Sequence, residues 1–357
     1  MIYLNHAGHA PTRSEAVRAQ DEALGQFNSL LFSPAGVRWY RAKLSECRDR
    51  VARFLHLDDA GTVVFTAGAT MACRLLMGCL PFREHDTVIT TDHEHPGILN
   101  ILSGWSSSRV RRTVIRCDSE DALLSDVERA FDERPRLALI SHVSYVDGRV
   151  LPIQAIGELA RRTGVPLVVD GAQAAGHIDV RPAEWGCDAY FFSGHKWSGG
   201  PMGTGVLVVR DTLFRKYLGD LPEQDRARPV WEMFEGTMNI ALIAGLAEAC
   251  HLRAKESGRA SGLGAIRERF ERELRRIPGL RFAGWKGPHA PGILSFGVEH
   301  REPGGLVDYL AARDIAVKPF PPPEPTSLIR LSWSPDLHDH DLICTVRHIS
   351  DWMAAPE

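Results

Sequence analysis

The feature that most constrains the fold of this chain is an alternation, through its middle part (residues 63–210), of short apolar runs with longer helical patterns. The runs are rich in Val, Ile and Leu, as expected of strands that are buried on both faces. They are Val63–Thr66, Val88–Thr91, Arg112–Arg116, Leu137–His142, Leu167–Asp170, Ala189–Ser193 and Val206–Arg210. Helical patterns such as Ala122–Phe131 and Ile153–Thr163 fit between them. This order predicts a mainly parallel sheet covered by helices, with ligand sites at the carboxyl ends of its strands.

The pattern changes near residue 259, and a chain of 357 residues is long enough for one large and one smaller domain. Helices, short apolar runs and a proline-rich loop follow in the order Ala265–Ile277, Gly292–Gly297, a helix from Gly305, Ala316–Lys318, Pro319–Pro325, Leu328–Ser332 and Asp339–Met353. We therefore predict a large domain over residues 16–258 and a small α+β domain over residues 259–357. Residues 1–15 show strand character without a helix, and we expect them to cross to the small domain.

Composition argues against several classes of function. The formal net charge is −3, so neither nucleic acid nor a membrane surface is indicated as a partner. No apolar run approaches the roughly 18 residues that a membrane helix needs, and the first residues do not resemble a signal peptide. The seven cysteines are scattered and form no Cys-x-x-Cys pair. We expect neither a disulfide framework nor a zinc site, and we expect a reducing, cytoplasmic setting.

Two segments at predicted strand ends carry residues with chemical potential. Asp170 ends one apolar run, and Lys196 follows another, in front of a glycine-rich turn. A carboxylate in that position can pair with the ring nitrogen of pyridoxal 5'-phosphate (PLP), and a desolvated lysine can hold this cofactor as a Schiff base. Taken alone, Asp170 could be a helix cap and Lys196 a solvated loop residue. Taken together, at this spacing, they favour a PLP site.

The segments Asp-Gly-Ala-Gln (170–173) and Ser-Gly-His-Lys (193–196) resemble those of class V aminotransferases. This family of fold-type I PLP-dependent enzymes includes the cysteine desulfurases and the isopenicillin N epimerase-like proteins. The resemblance extends from Leu4-Asn5-His6-Ala7-Gly8 to Ile329-Arg330-Leu331-Ser332. It implies an α/β fold of the fold-type I PLP-dependent transferase kind, with a mainly parallel sheet in the large domain and a smaller α+β C-terminal domain. It also implies a homodimer with shared active sites.

The resemblance assigns cofactor-binding roles to several residues. Ala69 and Thr70 bind the cofactor phosphate at the start of a helix, where backbone N–H groups and the helix dipole favour an anion. Ser193 and His195 add hydrogen bonds to the same phosphate. Gln173 reaches the phenolic oxygen of the ring, beside the roles of Asp170 and Lys196 already described.

Two further segments receive roles from the resemblance. His95 stacks on the cofactor ring and helps to move protons, and Gly236 and Thr237 complete the phosphate site of the neighbouring subunit. The run His93-Glu94-His95 also allows a metal site, but successive residues rarely face one ion, so we expect no metal.

The predicted substrate site differs from that of the desulfurases at two positions. Arg330 corresponds to the arginine that holds the substrate carboxylate, and a bidentate pair there fixes an amino acid in one orientation. Desulfurases carry a nucleophilic cysteine on the preceding loop, but residues 317–326 contain none, and Cys344 lies in the last predicted helix. Tyr145 stands where desulfurases have asparagine, which resembles the epimerase-like branch and suggests a different pocket, shaped also by Lys318 and the prolines.

These residues predict an enzyme that acts on an L-amino acid. Lys196 removes the Cα proton, Arg330 holds the carboxylate and Asp170 keeps the ring protonated. We favour β-elimination by a carbon–sulfur lyase that acts on a cysteine-derived substrate. Transamination, epimerisation and decarboxylation share the first steps and stay open as alternatives. A non-catalytic relative and a metal hydrolase built on His93 and His95 are the alternatives from other classes.

Overall fold

The fold is given by a computed structural model that describes residues 1–106, 110–210, 213, 236–256, 258–282, 284–320 and 328–355. Most of the predicted proline-rich loop lies outside these residues. The chain forms two compact units. The large unit contains Pro11–Val143 and Leu151–Lys255, and the small unit contains Met1–Ala10, Ser144–Val150 and Glu256–Glu357.

The secondary structure of the described residues alternates strands and helices, as the sequence predicts for the large domain. The strands are β1 (Ile2–Tyr3), β2 (Val63–Thr66), β3 (Thr87–Thr91), β4 (Arg111–Ile115), β5 (Leu137–Ser141), β6 (Leu167–Asp170), β7 (Ala189–Ser193), β8 (Gly205–Val209), β9 (Leu280–Phe282), β10 (Ile293–Val298), β11 (Ile315–Ala316), β12 (Lys318–Phe320) and β13 (Leu328–Ser332). The helices are α1 (Ser14–Leu30), α2 (Pro34–Phe54), α3 (Ala69–Cys79), α4 (Pro96–Ser106), α5 (Glu120–Asp132), α6 (Ile153–Thr163), α7 (Ile240–Lys255), α8 (Arg259–Leu274), α9 (Pro303–Ala311) and α10 (Asp339–Ala354), with a short 3-10 turn at Ala60–Thr62.

The large unit is built on a seven-stranded sheet in the order β2-β8-β7-β6-β5-β3-β4. Six of these seven described strands run in the same direction, and β8 runs opposite to them. Its central strands β5, β6 and β7 are buried along their whole length, which explains their continuous apolar sequences. The predicted mainly parallel sheet is confirmed, and each of its strand boundaries lies within one residue of the prediction.

The small unit contains a four-stranded antiparallel sheet in the order β12-β13-β10-β9 and the short parallel pair β1-β11. Arg330 lies in the middle of β13, in register with Lys318 on β12 and Ser295 on β10. Helices α8, α9 and α10 belong to the same unit. In the part of the chain that the structure describes, none of the helices is both long enough and apolar enough to span a membrane.

The segment 144–150 departs from the predicted division, which placed it in the large domain. It belongs to the small unit because its backbone is bonded there. Val150 N–H donates to Pro288 O at 2.9 Å, and Ser295 Oγ donates to Val146 O at 2.5 Å. Gly148 has a φ of 76°, and a Cβ there would lie 2.8 Å from Ile293, so a larger residue would not fit.

Candidate active site

The centre of the candidate site is formed at the ends of the adjacent parallel strands β6 and β7. Asp170 ends β6 and is 5% exposed, and its Oδ1 accepts a hydrogen bond from Ala172 N–H at 2.8 Å. Burial raises the pKa of the Asp170 carboxyl, while the positive charge of Lys196 and the Ala172 N–H both lower it. The structure therefore brings Asp170 and Lys196 close enough to interact electrostatically, although the whole of β7 lies between them in the chain.

Gly171 follows Asp170 because the ring of Tyr190 leaves no space for a side chain. A Cβ at this position would lie 2.1 Å from the Tyr190 ring. The hydroxyl of Tyr190 lies 3.5 Å from Nδ1 of the buried His142, and burial lowers the pKa of His142 to about 3. Two buried rings, of which His142 is neutral at physiological pH, therefore pack beside the residue that follows Asp170.

The side chain of Gln173 is buried in the turn after β6. Its Oε1 accepts a hydrogen bond from Trp197 Nε1–H at 2.7 Å. Trp197 directly follows Lys196 in the turn after β7, so the two segments that the sequence singled out are joined by a side-chain hydrogen bond. His195 is half-buried in the same turn.

The predicted phosphate site lies where α3 begins. Gly68 is the N-cap of α3 and supplies no side-chain cap. Ala69 N–H donates to Ser193 Oγ at 2.9 Å, so this hydroxyl joins the end of β7 to the helix start. The N–H of Ala69 is therefore already engaged, whereas the Ser193 O–H can still donate to an anion. A Cβ at Gly97 would lie 3.0 Å from Thr70 Oγ1, which places Thr70 beside the start of α4.

His95 is held at the start of α4. Its Nδ1 accepts a hydrogen bond from Gly97 N–H at 3.0 Å. A backbone N–H can only donate, so Nδ1 is the unprotonated nitrogen and Nε2 carries the proton of the neutral ring. His95 is half-buried, and His93 is bonded through its backbone N–H to Thr91 Oγ1 at 3.3 Å.

Glu94 is a buried residue that sequence reasoning considered only as a metal ligand. It is 2% exposed and accepts hydrogen bonds from Thr91 Oγ1 (2.7 Å), Ser141 N–H (3.0 Å) and Ser141 Oγ (2.5 Å). These bonds fasten the loop before His95 to the end of β5. Burial, with a smaller contribution from the nearby charge of Asp170, raises the pKa of Glu94 to about 7, although the hydrogen bonds from Ser141 and Thr91 act in the opposite direction. Glu94 lies three residues beyond β3, and no local pattern in the sequence distinguishes it from its neighbours.

Arg330 of the small unit is a buried guanidinium surrounded by neutral groups. It is 3% exposed, and burial lowers its pKa to about 10. Its Nη1 donates to Tyr145 O, and its Nη2 donates to Asn5 Oδ1 at 3.2 Å. Among the described residues its Nε has no partner and no carboxylate pairs with it. Phe320 packs 5.4 Å from the guanidinium and 5.5 Å from the ring of Tyr145. A buried cation in this setting suits an anionic ligand.

Gly236 and Thr237, which precede α7, are both exposed at the surface of the large unit. The adjacent Met238 donates its N–H to Tyr40 Oη at 2.7 Å, which ties this segment to α2. The structure thus places the two residues beside α2, on the same unit as the predicted phosphate site.

Comparison with known proteins identifies the family of this chain. The aminotransferase class-V family model matches residues 2–319. This chain belongs to the class-V aminotransferase family.

The proteins to which this family member is similar match most of its length. A probable cysteine desulfurase of Methanothermobacter thermautotrophicus is 30% identical over 328 residues, which cover 87% of this chain and 81% of that protein. A probable cysteine desulfurase of Halalkalibacterium halodurans is 28% identical over 348 residues, covering 89% and 82%. Two solved structures of C-DES are each 22% identical to this chain and show the shared fold. One has glycine covalently linked to its PLP cofactor (TM-score 0.85, covering 98% of this chain and 96% of that one). The other is the cystine C–S lyase in complex with its product cysteine persulfide (TM-score 0.82, covering 98% and 97%).

The predicted family, fold class and PLP cofactor are confirmed, and this member of the class-V aminotransferase family is a PLP-dependent enzyme. The residues present also match the chemistry that PLP requires. Lys196 supplies an amine near a buried carboxylate, and the uncapped start of α3 with the Ser193 hydroxyl suits a phosphate.

The cysteines of this family member are all free thiols, and five of the seven are buried. Burial raises the pKa of Cys47 and of Cys250 to about 12, and it raises the pKa of Cys73 and Cys187 strongly as well. Thiols of this kind stay protonated at neutral pH and are poor nucleophiles. Cys344 is half-buried on α10, a helix that begins seven residues after the end of the strand that carries Arg330.

Proposed function

We propose that this protein is a PLP-dependent carbon–sulfur lyase that cleaves a cysteine derivative by β-elimination and leaves the sulfur on the departing fragment. The observation that carries this proposal is the absence of any cysteine from residues 317–327, the segment before the strand of Arg330. An enzyme that accepts sulfur on its own protein needs a reactive thiolate, and the buried thiols of this chain do not provide one. The names of the similar proteins, cysteine desulfurase and cystine C–S lyase, support carbon–sulfur cleavage as the general reaction.

The proposed reaction balances without an oxidant. The substrate loses its Cα proton, its Cβ–S bond breaks, and the sulfur takes up a proton as a thiol or a persulfide. Water then converts the three-carbon remainder to pyruvate and ammonia. A cysteine whose sulfur bears a second group, such as the disulfide cystine, is the class of substrate that fits best, because substitution makes the sulfur a better leaving group.

When bound, PLP withdraws electrons from Cα and so makes its proton acidic. Asp170 is proposed to keep the ring nitrogen protonated. Its buried position strengthens that charge interaction, since a low local dielectric increases the attraction between opposite charges. Lys196 is proposed to hold the cofactor, and its free amine would take the proton from Cα of a bound substrate.

The remaining site residues are proposed to position the cofactor and the substrate. Ala69, Thr70, Ser193 and His195 are proposed to bind the cofactor phosphate, for which the Ala69 N–H would exchange Ser193 Oγ for a phosphate oxygen. His95 is proposed to stack on the ring, and the bond from Gly97 N–H to its Nδ1 fixes the orientation of the imidazole.

The substrate carboxylate is proposed to bind Arg330. The free Nε and the neutral surroundings of this guanidinium, among the described residues, support that role, because a carboxylate would supply the missing counter-charge. Tyr145 is proposed to line the substrate pocket, since its backbone oxygen orients Arg330 and its ring packs on Phe320.

The test is mass spectrometry of the products formed by the PLP-loaded protein from L-cystine, S-substituted L-cysteines and L-alanine. We expect pyruvate, ammonia and a thiol or persulfide from the sulfur substrates and no turnover of alanine. A keto acid that keeps its side chain would mean transamination, and recovered D-amino acid would mean epimerisation. Either result would contradict the lyase proposal.

We further propose that the protein is a homodimer in which Gly236 and Thr237 reach the phosphate site of the second copy. An apolar patch on the surface supports it. Leu24, Leu31 and Phe32 are 47%, 60% and 57% exposed, and the rings of Phe27 and Tyr40 pack against Phe32 at 5.2 and 6.1 Å. Tyr40 in turn binds Met238, next to Thr237, so the patch continues into the segment proposed to act in the second copy.

Sedimentation velocity tests the dimer. We expect a dimer for the native chain and a shift towards monomer for Phe32→Glu, with loss of bound PLP. Ile343→Glu introduces the same charge at an exposed apolar position on α10 and should leave the dimer unchanged. A monomeric native chain with full activity would contradict the proposal. We also propose a reducing, cytoplasmic setting, supported by the seven free thiols.

A further inference from the structure

Trp197 is a completely buried side chain that has no role so far in the proposed chemistry. Its indole N–H donates to Gln173 Oε1 at 2.7 Å, and its ring stacks on His177 with 3.5 Å between ring centroids and an 11° interplanar angle. His177 Nδ1 lies 3.0 Å from the backbone oxygen of Gln173, and it donates there because a carbonyl oxygen only accepts. Gln173 is thus held through its side chain and its backbone by two stacked rings.

The contact with Trp197 fixes the positions of the oxygen and the nitrogen of the Gln173 side-chain amide. An indole N–H is a donor only, so the amide atom that meets it must be the carbonyl oxygen. The opposite end of the amide is therefore the NH2 group. A side-chain amide can otherwise flip end for end and exchange its donor for an acceptor.

Resting on the PLP-binding role proposed above, we propose that Trp197 is a positioning residue that orients Gln173 so that its NH2 group, and not its carbonyl, faces the phenolic oxygen of the cofactor ring. That oxygen is an acceptor and bears negative charge when the cofactor is linked to Lys196. An NH2 group stabilises it, whereas a carbonyl oxygen in the same place would repel it. Trp197 touches Gln173 and acts on the cofactor only through it.

The experiment is a pH titration of the visible absorbance of the PLP-loaded protein, in the native chain and in Trp197→Phe. Phenylalanine removes the N–H but keeps an aromatic ring against His177. A donor to the phenolic oxygen favours the deprotonated form of the Lys196–cofactor linkage. Its loss should therefore raise the midpoint of the titration by about one pH unit, the size expected for one hydrogen bond to a charged oxygen. PLP affinity, measured by spectral titration, should fall about 10-fold for the same reason.

A double-variant comparison tests whether Trp197 acts through Gln173. Gln173→Met, which has similar length and no donor, should raise the midpoint as Trp197→Phe does, and adding Trp197→Phe to it should change nothing further. Trp285→Phe is the matched control, because it removes an indole N–H that donates to Pro288 O at 3.1 Å in the small unit. Its titration midpoint should equal that of the native chain. Trp197→Leu replaces the phenylalanine variant if circular dichroism shows that the latter does not fold.

The outcomes separate this inference from the proposed function. A native chain that binds no PLP at Lys196 would overturn both. A native chain that binds and titrates normally, together with an unchanged midpoint in Trp197→Phe or an additive shift in the double variant, would overturn the role of Trp197 and leave the lyase proposal standing.

Discussion

Two buried charged groups, one in each unit, are compensated in different ways. Asp170 in the large unit lies within reach of the positive charge of Lys196. Arg330 in the small unit is equally buried, but its described partners are a backbone oxygen and the amide oxygen of Asn5. The large unit thus supplies its own counter-charge, while the small unit presents a cation that is bound, among the described residues, by neutral acceptors.

Under the proposed function, the two units supply different charged groups to the reaction. A charge pair within one unit can hold a cofactor in a defined protonation state before any substrate arrives. A buried cation with neutral partners gains more binding free energy from an external anion than a cation that is already paired, because the cost of burying its charge is already present in the folded protein. The comparison predicts that substitutions in the large unit affect chemistry and that substitutions around Arg330 affect substrate binding.

Lys196→Ala should produce the largest effect on catalysis, because it removes the positive charge that Asp170 interacts with. We expect the rate of carbon–sulfur cleavage to fall at least ~10³-fold, since both the amine that holds the cofactor and the base that removes the Cα proton are lost. Initial rates measure it, and borohydride reduction followed by peptide mapping should locate PLP on Lys196 in the native chain. Lys255→Ala, on an exposed part of α7, is the control and should behave as the native chain. Covalent trapping of PLP in Lys196→Ala would contradict the assignment.

Arg330→Ala tests the other half of the comparison. Loss of a charged, bidentate partner should lower kcat/KM about 10²-fold, mainly through KM, because the carboxylate is held in ground and transition states alike. Arg330→Lys keeps the charge without the planar fork and should recover only part of the loss. Steady-state kinetics with Arg281→Ala, an exposed arginine of the same unit, as control measure the effect. Equal kinetic constants for Arg330→Ala and the native chain would remove Arg330 from the carboxylate role.

The sequence predicts well what depends on local apolar pattern and on the order of motifs. The strands that end in Asp170 and Ser193 are continuous apolar runs, so their boundaries are recognisable without any tertiary information. The approach of Lys196 to Asp170 follows from the pairing of adjacent parallel strands, whose ends lie at the same edge of the sheet.

The sequence predicts poorly what depends on contacts between distant segments. Residues 144–150 belong to the small unit through bonds to Pro288 and Ser295, which lie far along the chain and which no local pattern announces. The hydrogen bonds of Glu94 with Ser141 and of Trp197 with Gln173 join different strand ends, so neither residue stands out from its neighbours in the chain. Such residues are found only when side-chain partners are known.

Glu94 sharpens the comparison because it is a buried carboxyl of the large unit whose hydrogen-bond partners are neutral. Its pKa is raised from an ordinary value near 4.5 to about 7, chiefly by burial. The folded state therefore holds this proton more tightly than the unfolded state. The stability contribution of Glu94 is complete below about pH 4.5 and is lost as the pH rises through about 7.

Glu94→Gln removes this titration while keeping side-chain length. Relative to the variant, the native chain should lose about 3 kcal/mol of unfolding free energy between pH 4.5 and pH 7. Urea denaturation of both proteins across that range measures the change. Glu128→Gln, at an exposed ion pair with Arg162, should show little such dependence. A constant difference between Glu94→Gln and the native chain at all pH values would mean that Glu94 is not the source of the pH dependence.

Substitutions of Asn5 should produce the smallest change in kinetic constants, and they test directly whether the neutral partners of Arg330 matter for substrate binding. Asn5→Ala removes one neutral acceptor from Arg330 and should raise KM only about 5-fold, the size of one hydrogen bond. Asn5→Asp gives the guanidinium a stronger partner. We nevertheless expect it to raise KM more than the alanine variant does, because the new carboxylate neutralises the positive charge that would otherwise attract the substrate carboxylate. Steady-state kinetics at a fixed pH above 6 compares the two variants. A lower KM in Asn5→Asp than in Asn5→Ala would mean that Arg330 stabilises the small unit and does not bind substrate, and the contrast between the two buried charges would then lose its functional meaning.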